Sequence, residues 1–457
     1  MSRKSRLISI VAIITAVIAS MASASGRTVT TVHAARAAHA TDVVTIKFMG
    51  WDTPGPINAA LAGFNAAHPT VHATFTQVPY AQYDARLNTM EVAGTQPDIV
   101  ELEEYNVPLF GSKGVLYPMD GFLKQNNLGN DLLPSTLFHA NGTTWGVGNG
   151  ATTFALYYNK ARFQKAGIAP PSADAAHPWT WAQYVAAAKR LTVDANGKHP
   201  GDQGFDSKRI SVYGTNEPSF WLYNLGLVRS TGSGYFNKGA TRFTLADKPA
   251  ADAIQEIANL SLVDHVAPSP ALMASFPSAA TLLESGRMAM DIDGTWNLGF
   301  FGSTNFQVGI AAIPMFKTPQ NTVWTAGYAI SKNSAHPAES WAVLHSLLSA
   351  PTVYALGNQM PPFKSWFTDP NKIKLWTGNA AHPAGMLPRF RTSVMATVLN
   401  PAIGVQGENV YVKGFGKMMD NVVTPGLDPV YAGKTSAATA LASITQQVQP
   451  LVGGAWK

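Results

Sequence analysis

Residues 43–102 read VVTIKFMGWDTPGPINAALAGFNAAHPTVHATFTQVPYAQYDARLNTMEVAGTQPDIVEL, and this stretch decides the fold class. Three apolar runs within it predict strands: 43–49, 71–78 and 99–102. Between the strands, apolar residues recur at helical spacing, as in Ile57, Leu61 and Phe64. Strand, helix, strand, helix, strand is the pattern of a parallel sheet covered by helices, so we predict an α/β fold.

The rest of the chain also mixes the two kinds of element. Three further apolar runs predict strands: 154–158, 288–292 and 308–313. Apolar stripes at helical spacing predict four helices, of which Thr180 caps the first: 181–188, 254–258, 341–348 and 441–448. Clusters of glycine, proline and aromatic residues predict surface loops with a functional role: 214–236, 294–302 and 357–367.

The N-terminus has the pattern of a secretory signal peptide. Arg3, Lys4 and Arg6 precede the apolar run Leu7–Met21, which is shorter than the roughly 20 residues that a membrane span needs. Ala22-Ser23-Ala24 has the small residues of a cleavage site. We therefore expect residues 1–24 to be a signal peptide and 25–42 a flexible leader, with an uncleaved anchor as the alternative. Export to the periplasm or the extracellular space follows from either.

Composition excludes several classes of protein. The chain has no cysteine, which rules out disulfides, cysteine-based zinc sites, thiol catalysis and lipidation through an N-terminal cysteine. Its net charge of +6 falls to +3 without residues 1–24, and basic residues form no runs, so we expect no nucleic-acid partner. The 11 histidines are scattered and no cofactor motif is present, so we expect no metal and no cofactor.

Short motifs recur along the chain in a set order. They are FMGWD (48–52), AGTQPDIV (93–100), GVLYPMD (114–120), LYYNK (156–160), GRMAM (286–290), GTW (294–296) and GYAISK (327–332). In order and spacing they resemble the family 1 extracellular solute-binding proteins of ABC importers, the group that includes maltose-binding protein. The resemblance runs from about residue 43 to about residue 400.

This resemblance implies a type II periplasmic-binding-protein fold: two α/β lobes joined by a hinge, with a ligand cleft between them. We place the N-terminal lobe at 43–150 plus 312–358 and the C-terminal lobe at 151–311 plus 359–457. The implied function is to bind a sugar, with a di- or oligosaccharide expected, and to deliver it to the membrane permease of the importer. We expect a monomer and no enzymatic activity.

A sugar site needs flat aromatic walls for the C–H faces of the rings and polar groups for the hydroxyls. Trp296 in the GTW turn is the strongest candidate, because the tryptophan of that turn stacks on sugar in the family. Asp52 follows the first predicted strand, and Glu103 follows the third. Alternation along the third strand predicts Glu101 and Glu103 on one face and Glu104 on the other. Glu217 lies in NEPSFW (216–221), which resembles a ligand-binding loop of the maltose binder.

The full set of predicted ligand contacts is Trp51, Asp52, Glu103, Tyr105, Asn106, Glu217, Trp221, Trp296, Trp324, Gly327, Tyr328, Arg389 and Arg391. Several of these have a structural alternative: Trp296 and Trp221 as core residues, Asp52 as a helix cap, and the glutamates as a solvated acidic run. Tyr158 in the LYYNK motif is expected to be structural.

Other functions remain possible at this stage. Two late arginines could favour glycerol phosphate, and the acids could favour a polyamine. A secreted glycoside hydrolase also needs aromatic residues and two carboxylates. Against an enzyme, the sequence has no G-x-S-x-G, H-E-x-x-H or phosphate-loop motif.

Overall fold

The computed structural model describes residues 43–302, 307–354, 359–377 and 389–456. They belong to one compact unit, Val43–Lys457. The predicted signal peptide and leader, residues 1–42, lie outside the described residues. Within the described ranges, no helix is long and apolar enough to cross a membrane.

Thirteen strands are described: β1 (Val44–Gly50), β2 (Val71–Gln77), β3 (Ile99–Leu102), β4 (Leu137–Ala140), β5 (Thr143–Gly148), β6 (Thr152–Asn159), β7 (Val193–Asp194), β8 (Ile210–Val212), β9 (Met290–Gly294), β10 (Val308–Ala311), β11 (Asn321–Trp324), β12 (Gly327–Ile330) and β13 (Gly404–Gln406). They form a six-stranded sheet, a second sheet around β6, and the small pair β7–β8.

The first sheet has the strand order β2-β1-β3-β12-β5-β4. Strand β1 is parallel to β2 and β3, which confirms the prediction from residues 43–102. Phe48 lies opposite Phe75 on one side and Ile99 on the other. Strand β12, which comes much later in the chain, is inserted antiparallel between β3 and β5.

The second sheet is built on β6, all eight residues of which are buried. Strands β9, β10 and β11 each pair antiparallel with β6, and β13 pairs parallel with β11. Each of the two large sheets is the centre of one α/β lobe, so the predicted two-lobed α/β fold is confirmed.

The chain crosses between the two sheets at two connections that the strands define. Strand β5 of the first sheet leads into β6 of the second, and β11 of the second leads into β12 of the first. The residues at these connections are 149–151 and 325–326. The lobe limits at 150/151 and 311/312 stay predictions.

Helices cover the sheets. The α-helices are Pro54–Ala67, Tyr80–Ala93, Asn106–Ser112, Asp120–Gln125, Lys160–Ala166, Trp181–Leu191, Trp221–Arg229, Lys248–Leu262, Pro270–Met273, Ala279–Glu284, Leu298–Gly302, Pro337–Leu348, Pro351–Tyr354, Ser365–Thr368, Pro370–Thr377, Ala396–Leu399, Glu408–Tyr411, Phe415–Met418, Thr424–Tyr431 and Ala437–Val448. Pro134–Thr136, Thr295–Asn297 and Gln449–Leu451 are 3-10 turns, and Arg391–Met395 and Met419–Val423 are π-helical turns.

Two sequence predictions about helices have clear outcomes. Thr180 caps its helix as predicted, because its side chain and that of Gln183 each accept a hydrogen bond from the other's backbone N–H. The loops predicted at 214–236, 294–302 and 357–367 are wrong in part, since the helices Trp221–Arg229, Leu298–Gly302 and Ser365–Thr368 lie or begin within them. Glycine and aromatic content indicated loops there, but burial of the apolar residues stabilises helices. Residues 357 and 358 lie outside the described residues.

Two large apolar clusters form the core, and the one on the first sheet extends to Tyr157 and Ile310 of the second. Ile46, Phe48 and Leu61 are examples of the residues buried against the first sheet. Leu156, Ile254 and Ile292 are examples of those buried against the second. A fully buried side chain of this size contributes about 1.5–3 kcal/mol. These cores hold the ends of β1, β3 and β9 in place, and the candidate site is built on those ends.

Candidate functional site

The turn after β1 is held by a buried glutamate. Glu101 on β3 accepts hydrogen bonds from the backbone N–H groups of Trp51 (2.8 Å) and Asp52 (3.3 Å) and from Asn149 Nδ2 (2.9 Å). A Cβ at Gly50 would collide with this carboxylate, so the close approach requires glycine. Glu101 is fully buried and fixes the turn in one conformation.

Asp52 lies in this turn with its carboxylate surrounded by donors. The hydroxyl of Tyr328 donates to Oδ2 at 2.7 Å, Asn149 Nδ2 donates to the same oxygen at 3.3 Å, and Gln359 Nε2 donates to Oδ1 at 3.4 Å. Burial raises the pKa of Asp52, and the hydrogen bonds from Tyr328 and Asn149 oppose the rise. The alternative role as a side-chain helix cap does not apply, because the cap residue of the next helix is Thr53.

Tyr328 and Gly327 lie behind this turn. Tyr328 is fully buried, with its hydroxyl committed to Asp52. Gly327 is also buried, and a Cβ there would collide with Val107 and Phe138. Tyr328 thus orients Asp52, and Gly327 lets Val107 and Phe138 pack closely against the backbone, while the roles of both as ligand contacts stay predictions.

Glu103 and Glu104 follow β3 and are both buried, at 4% and 1% exposure. Strand β3 ends at Leu102, so the predicted alternation of Glu101, Glu103 and Glu104 between two faces does not extend to the last two. Glu103 bonds the hydroxyl of Tyr80, and its Oε1 has no hydrogen-bond partner. Glu104 Oε1 accepts from Asn409 Nδ2, and the backbone N–H of Thr325 also acts on this carboxyl group and opposes the rise of its pKa, while Oε2 has no hydrogen bond of normal geometry.

Burial shifts the titration of both glutamates. It raises the pKa of Glu103 to about 7, with the bond from Tyr80 opposing the shift and the charge of Asp84 adding to it. It raises the pKa of Glu104 well above its usual range, and the neighbouring charge of Glu103 adds to the effect. None of the five ion pairs formed within the described ranges includes any of these acids.

Aromatic rings stand next to these acids. Trp51 meets Tyr80 edge to face, with ring centroids 5.5 Å apart, and meets Tyr83 in the same way at 4.8 Å. Tyr105 is partly exposed and lies against Gly416, which belongs to the helix Phe415–Met418. Asn106, also partly exposed, begins the helix Asn106–Ser112. The group formed by Trp51, Asp52, Tyr80, Glu103, Glu104 and Tyr105 is called the acidic wall below.

A second group lies in the turn after β9. The ring of Trp296 covers Gly294 so closely that a Cβ there would collide with it. Trp296 meets Phe154, Tyr223 and Trp324 edge to face, with ring centroids 5.5, 6.2 and 5.7 Å away. Trp296, Tyr223 and Trp324 each keep part of their surface exposed.

Asp293 adds a carboxylate to this group. It accepts hydrogen bonds from Asn297 Nδ2 (2.7 Å) and from the hydroxyl of Tyr223. Burial raises the pKa of Asp293 to about 6. Phe154, Tyr223, Asp293, Trp296 and Trp324 are together called the aromatic wall.

Asn149 links the acidic wall to the residue that follows Trp324 of the aromatic wall. Asn149 donates to Glu101 and Asp52 beside the acidic wall, and its Oδ1 accepts from Thr325 Oγ1 at 3.2 Å. Thr325 directly follows Trp324 of the aromatic wall. One asparagine in the β5–β6 connection therefore joins both groups.

The structure places Glu217 and Trp221 elsewhere in the second lobe. Trp221 is buried against Phe415, with ring centroids 5.0 Å apart, and it lines a cavity of about 420 Å³. Glu217 has Ser261 and Tyr431 as neighbours, its two carboxylate oxygens have no hydrogen-bond partner, and burial raises its pKa to about 8. Neither residue belongs to the acidic wall or the aromatic wall.

The two arginines are also apart from the walls. Arg389 donates to the hydroxyl of Tyr158 (2.7 Å) and to the backbone oxygen of Pro171, so it is committed to packing in the second lobe. Tyr158 is buried, in agreement with its expected structural role. Arg391 is exposed.

Sequence reasoning missed four residues that the walls contain or depend on. Asp293 stands directly before the GTW motif, and Tyr223 lies two positions after Trp221, so both were close to recognised motifs. Tyr80 and Asn149 carried no signal, because their roles depend on contacts between distant segments. Among the residues that the structure describes, no group of three His, Cys, Asp or Glu side chains could hold a metal ion.

Comparison with known proteins agrees with this architecture. The chain is 26% identical over 294 residues to a putative binding protein of Brucella abortus (strain 2308), in a match that covers 62% of this chain and 66% of the relative. It is 22% identical over 317 residues to the multiple sugar-binding protein of Streptococcus mutans, covering 65% and 70%. The match thus spans slightly less than two thirds of the length of the Brucella relative.

Among solved structures, an ABC substrate-binding protein of Listeria monocytogenes in complex with cycloalternan is similar in fold. Its TM-score is 0.75 at 21% identity, over 90% of this chain and 99% of that one. The model of the family described as bacterial extracellular solute-binding protein matches residues 50–353, which span β1 to the helix after β12 and so include both walls. The chain therefore belongs to the family of bacterial extracellular solute-binding proteins.

Proposed function

We propose that this protein is the sugar-binding component of an ABC importer. It would capture a sugar, with a di- or oligosaccharide expected, between its lobes and deliver it to the permease subunits in the membrane. The protein would act outside the cytoplasmic membrane after removal of residues 1–24, without a lipid anchor on an N-terminal cysteine. It would act as a monomer and without chemical turnover.

The observation that carries this proposal is the pair of walls with complementary chemistry. A sugar ring has apolar C–H faces, which stack on flat aromatic rings such as Trp296, and a rim of hydroxyls, which donate to carboxylates such as Asp52 and Glu103. A hydrogen bond to a charged group contributes roughly 1.5–3 kcal/mol. A few such bonds and one or two stacked rings are enough for micromolar affinity, which needs about −8 kcal/mol.

Relatives support the choice of a sugar over other solutes. Similar proteins include the multiple sugar-binding protein of Streptococcus mutans and the mannitol-binding protein of Pseudomonas aeruginosa. Two of the similar structures hold cycloalternan and maltotriose. Ligands of this kind fit aromatic and acidic side chains better than they fit a basic site.

Closure of the lobes is the expected mechanism. The sugar would bind one wall first, and the second wall would reach it only in the closed form, so binding shifts the population toward closure. The contacts between Glu104 and Asn409, and between Gln406 Nε2 and the backbone oxygens of Ser135 and Leu137, are the kind that form between lobes on closing.

A thermal-shift screen of purified protein with mono-, di- and trisaccharides tests the proposal, followed by calorimetry on each sugar that stabilises the fold. Stabilisation by at least one sugar, without hydrolysis of it, supports a sugar carrier. A shift with glycerol phosphate and none with any sugar would replace the proposed ligand class. Turnover of an oligosaccharide would instead favour a glycoside hydrolase.

A polyamine is the second candidate, because none of the ion pairs among the described residues joins a basic side chain to the acidic wall. Glycerol phosphate has no such support, since Arg389 is bonded to Tyr158 and Pro171 rather than to either wall. Spermidine and putrescine therefore belong in the same screen.

A further inference from the structure

The acidic wall brings together more carboxyl groups than a neutral sugar requires. The titratable side chains that act on Glu103, Glu104 or the turn beside them are acids and tyrosines: Asp52, Tyr80, Asp84, Glu101 and Tyr105. Arg229, a basic side chain of the second lobe, is paired with Glu408 at 3.3 Å. Burying several carboxylates together without a cation is costly unless something else compensates them.

Three buried oxygens at this place lack hydrogen-bond partners. They are Glu103 Oε1, Glu104 Oε2 and Asn409 Oδ1, on residues that are 4%, 1% and 1% exposed. Glu104 and Asn409 are bonded to each other, so the three oxygens come from both sides of one contact between segments distant in sequence. Most buried polar atoms in proteins are hydrogen-bonded, so three unsatisfied acceptors in one place need an explanation.

When both glutamates are ionised, as beside a bound cation, all three atoms are hydrogen-bond acceptors. An ammonium group carries three donors and no acceptor, so it matches such a set, whereas a hydroxyl brings acceptor lone pairs as well as its one donor. A metal ion is a poorer match, because the described residues offer no group of three His, Cys, Asp or Glu side chains for one. The rings of Trp51, Tyr80 and Tyr105 next to the acids add cation–π attraction for an ammonium.

We propose that the sugar bound by this protein carries a free amino group, and that its ammonium lies between Glu103, Glu104 and Asn409 at the acidic wall. This inference rests on the proposed function as a sugar carrier and specifies the class of sugar. The aromatic wall would hold the ring, and the acidic wall would select the charge. In the free protein, burial raises the pKa of Glu103 to about 7, so this carboxyl group is partly protonated near neutral pH. A bound ammonium would take the place of that proton.

Matched sugars test this directly by calorimetry on the whole protein. The series comprises glucose, galactose and mannose, their 2-amino and 2-acetamido forms, cellobiose, the disaccharide of glucosamine and its fully acetylated form. We expect the free amine to bind at least about tenfold more tightly than both the hydroxyl and the acetamide in at least one series, a difference of about 1.4 kcal/mol.

The possible results separate the two proposals. A neutral or acetylated sugar that binds as tightly as its amine overturns the ammonium assignment and leaves the sugar carrier standing. Binding of no sugar in this series or in the wider screen overturns the sugar carrier, and the amino-sugar assignment falls with it. Binding of spermidine alone places the protein with the polyamine binders.

Two variants test whether the amino group of the bound sugar lies at the acidic wall. Glu103→Gln keeps the shape of the side chain and removes its charge, and Asn409→Ala removes an acceptor from the other side without touching β3. Each should reduce the preference for the amine over the hydroxyl about tenfold. The matched control Glu256→Gln, at an exposed position on the helix Lys248–Leu262, should keep the full preference.

Thermal melting of each variant shows whether it is folded, so that a lost preference is measured only on native protein. If both folded variants retain the whole preference for the amine, the ammonium does not lie at the acidic wall.

Discussion

The acidic wall and the aromatic wall are built in the same way and end with different chemistry. Each follows the end of a buried strand, and in each a glycine, Gly50 or Gly294, allows a large group to pack against the backbone. At Gly50 that group is the carboxylate of Glu101, and at Gly294 it is the ring of Trp296. The first turn presents charge and the second presents a flat apolar surface.

The acids of the two walls also differ in how they are satisfied. Glu101 and Asp52 are each held by three hydrogen bonds, and Asp293 by bonds from Asn297, Gly294 and Tyr223. Glu103 and Glu104 each keep one oxygen without a partner. A fully bonded buried carboxylate stabilises the fold, while one with a free oxygen is available to a ligand. The difference separates supporting residues from candidate contacts.

Removal of Glu101 should have the largest effect, and on stability. Glu101→Ala leaves the N–H groups of Trp51 and Asp52 and the amide of Asn149 without their acceptor. Each buried donor left unpaired costs about 1–3 kcal/mol, so we expect a loss of about 3 kcal/mol or more in the free energy of unfolding, measured with urea. Glu256→Ala at the exposed position is the control, and a loss no larger than that of the control would contradict a structural role for Glu101.

Trp296→Ala should weaken ligand binding while leaving the fold intact. The ring is partly exposed and lies at the surface of the aromatic wall, so its loss removes stacking area more than core packing. We expect affinity for the sugar identified by the screen to fall about tenfold or more, or about 1.4 kcal/mol, by calorimetry. Trp456→Ala, near the C-terminus, is the matched control. Unchanged affinity in the Trp296 variant would remove this residue from the site.

Stability of the free protein should fall as the pH rises from about 4.5 to about 7. Burial raises the pKa of Glu103 and Glu408 to about 7, so between these limits the folded state binds more protons than the unfolded state. By linkage, the free energy of unfolding then decreases with rising pH, and the part of the loss that comes from Glu103 and Glu408 is complete above about pH 7. We expect a decrease of at least about 1 kcal/mol, or roughly 2–4 °C in Tm.

Melting curves at pH 5, 6, 7 and 8 measure this decrease, and Glu103→Gln should make it smaller. A Tm that increases over the same range would show that the pKa values of these carboxyl groups are not raised in the folded protein. It would contradict the difference that we describe between the acids of the two walls.

Tyr328→Phe should have the smallest effect. It removes the 2.7 Å hydrogen bond to Asp52 while the ring stays in the core. One such bond contributes about 0.5–1.5 kcal/mol, so we expect a stability loss of that size and a modest loss of ligand affinity through a less well oriented Asp52. A loss of affinity as large as that of Trp296→Ala would instead mean that Tyr328 contacts the ligand.

Local patterns predicted most of the fold. The parallel arrangement of β1, β2 and β3 followed from the alternation of apolar runs and helical stripes in residues 43–102, and the limits of β3 and the cap at Thr180 were also correct. These features depend on residues close together in the chain. The insertion of β12 between β3 and β5 depends on pairing across more than 170 residues, which no local pattern encodes.

The candidate site was only partly predictable for the same reason. Trp51, Asp52 and Trp296 stand in motifs directly after strands, where side chains converge whatever the rest of the fold does. Asn149, Tyr80 and Asn409 act through partners far away in sequence. Glu217 and Trp221 carried a motif, but the structure places Trp221 at the 420 Å³ cavity, packed against Phe415, and gives Glu217 the neighbours Ser261 and Tyr431.

A crystal structure of the protein with its bound sugar tests the central claim most directly. We expect the sugar ring to stack on Trp296, with a polar group of the same sugar within about 3.2 Å of Glu103 Oε1. A sugar bound instead in the cavity lined by Trp221 and Tyr431, with both walls unoccupied, would contradict it.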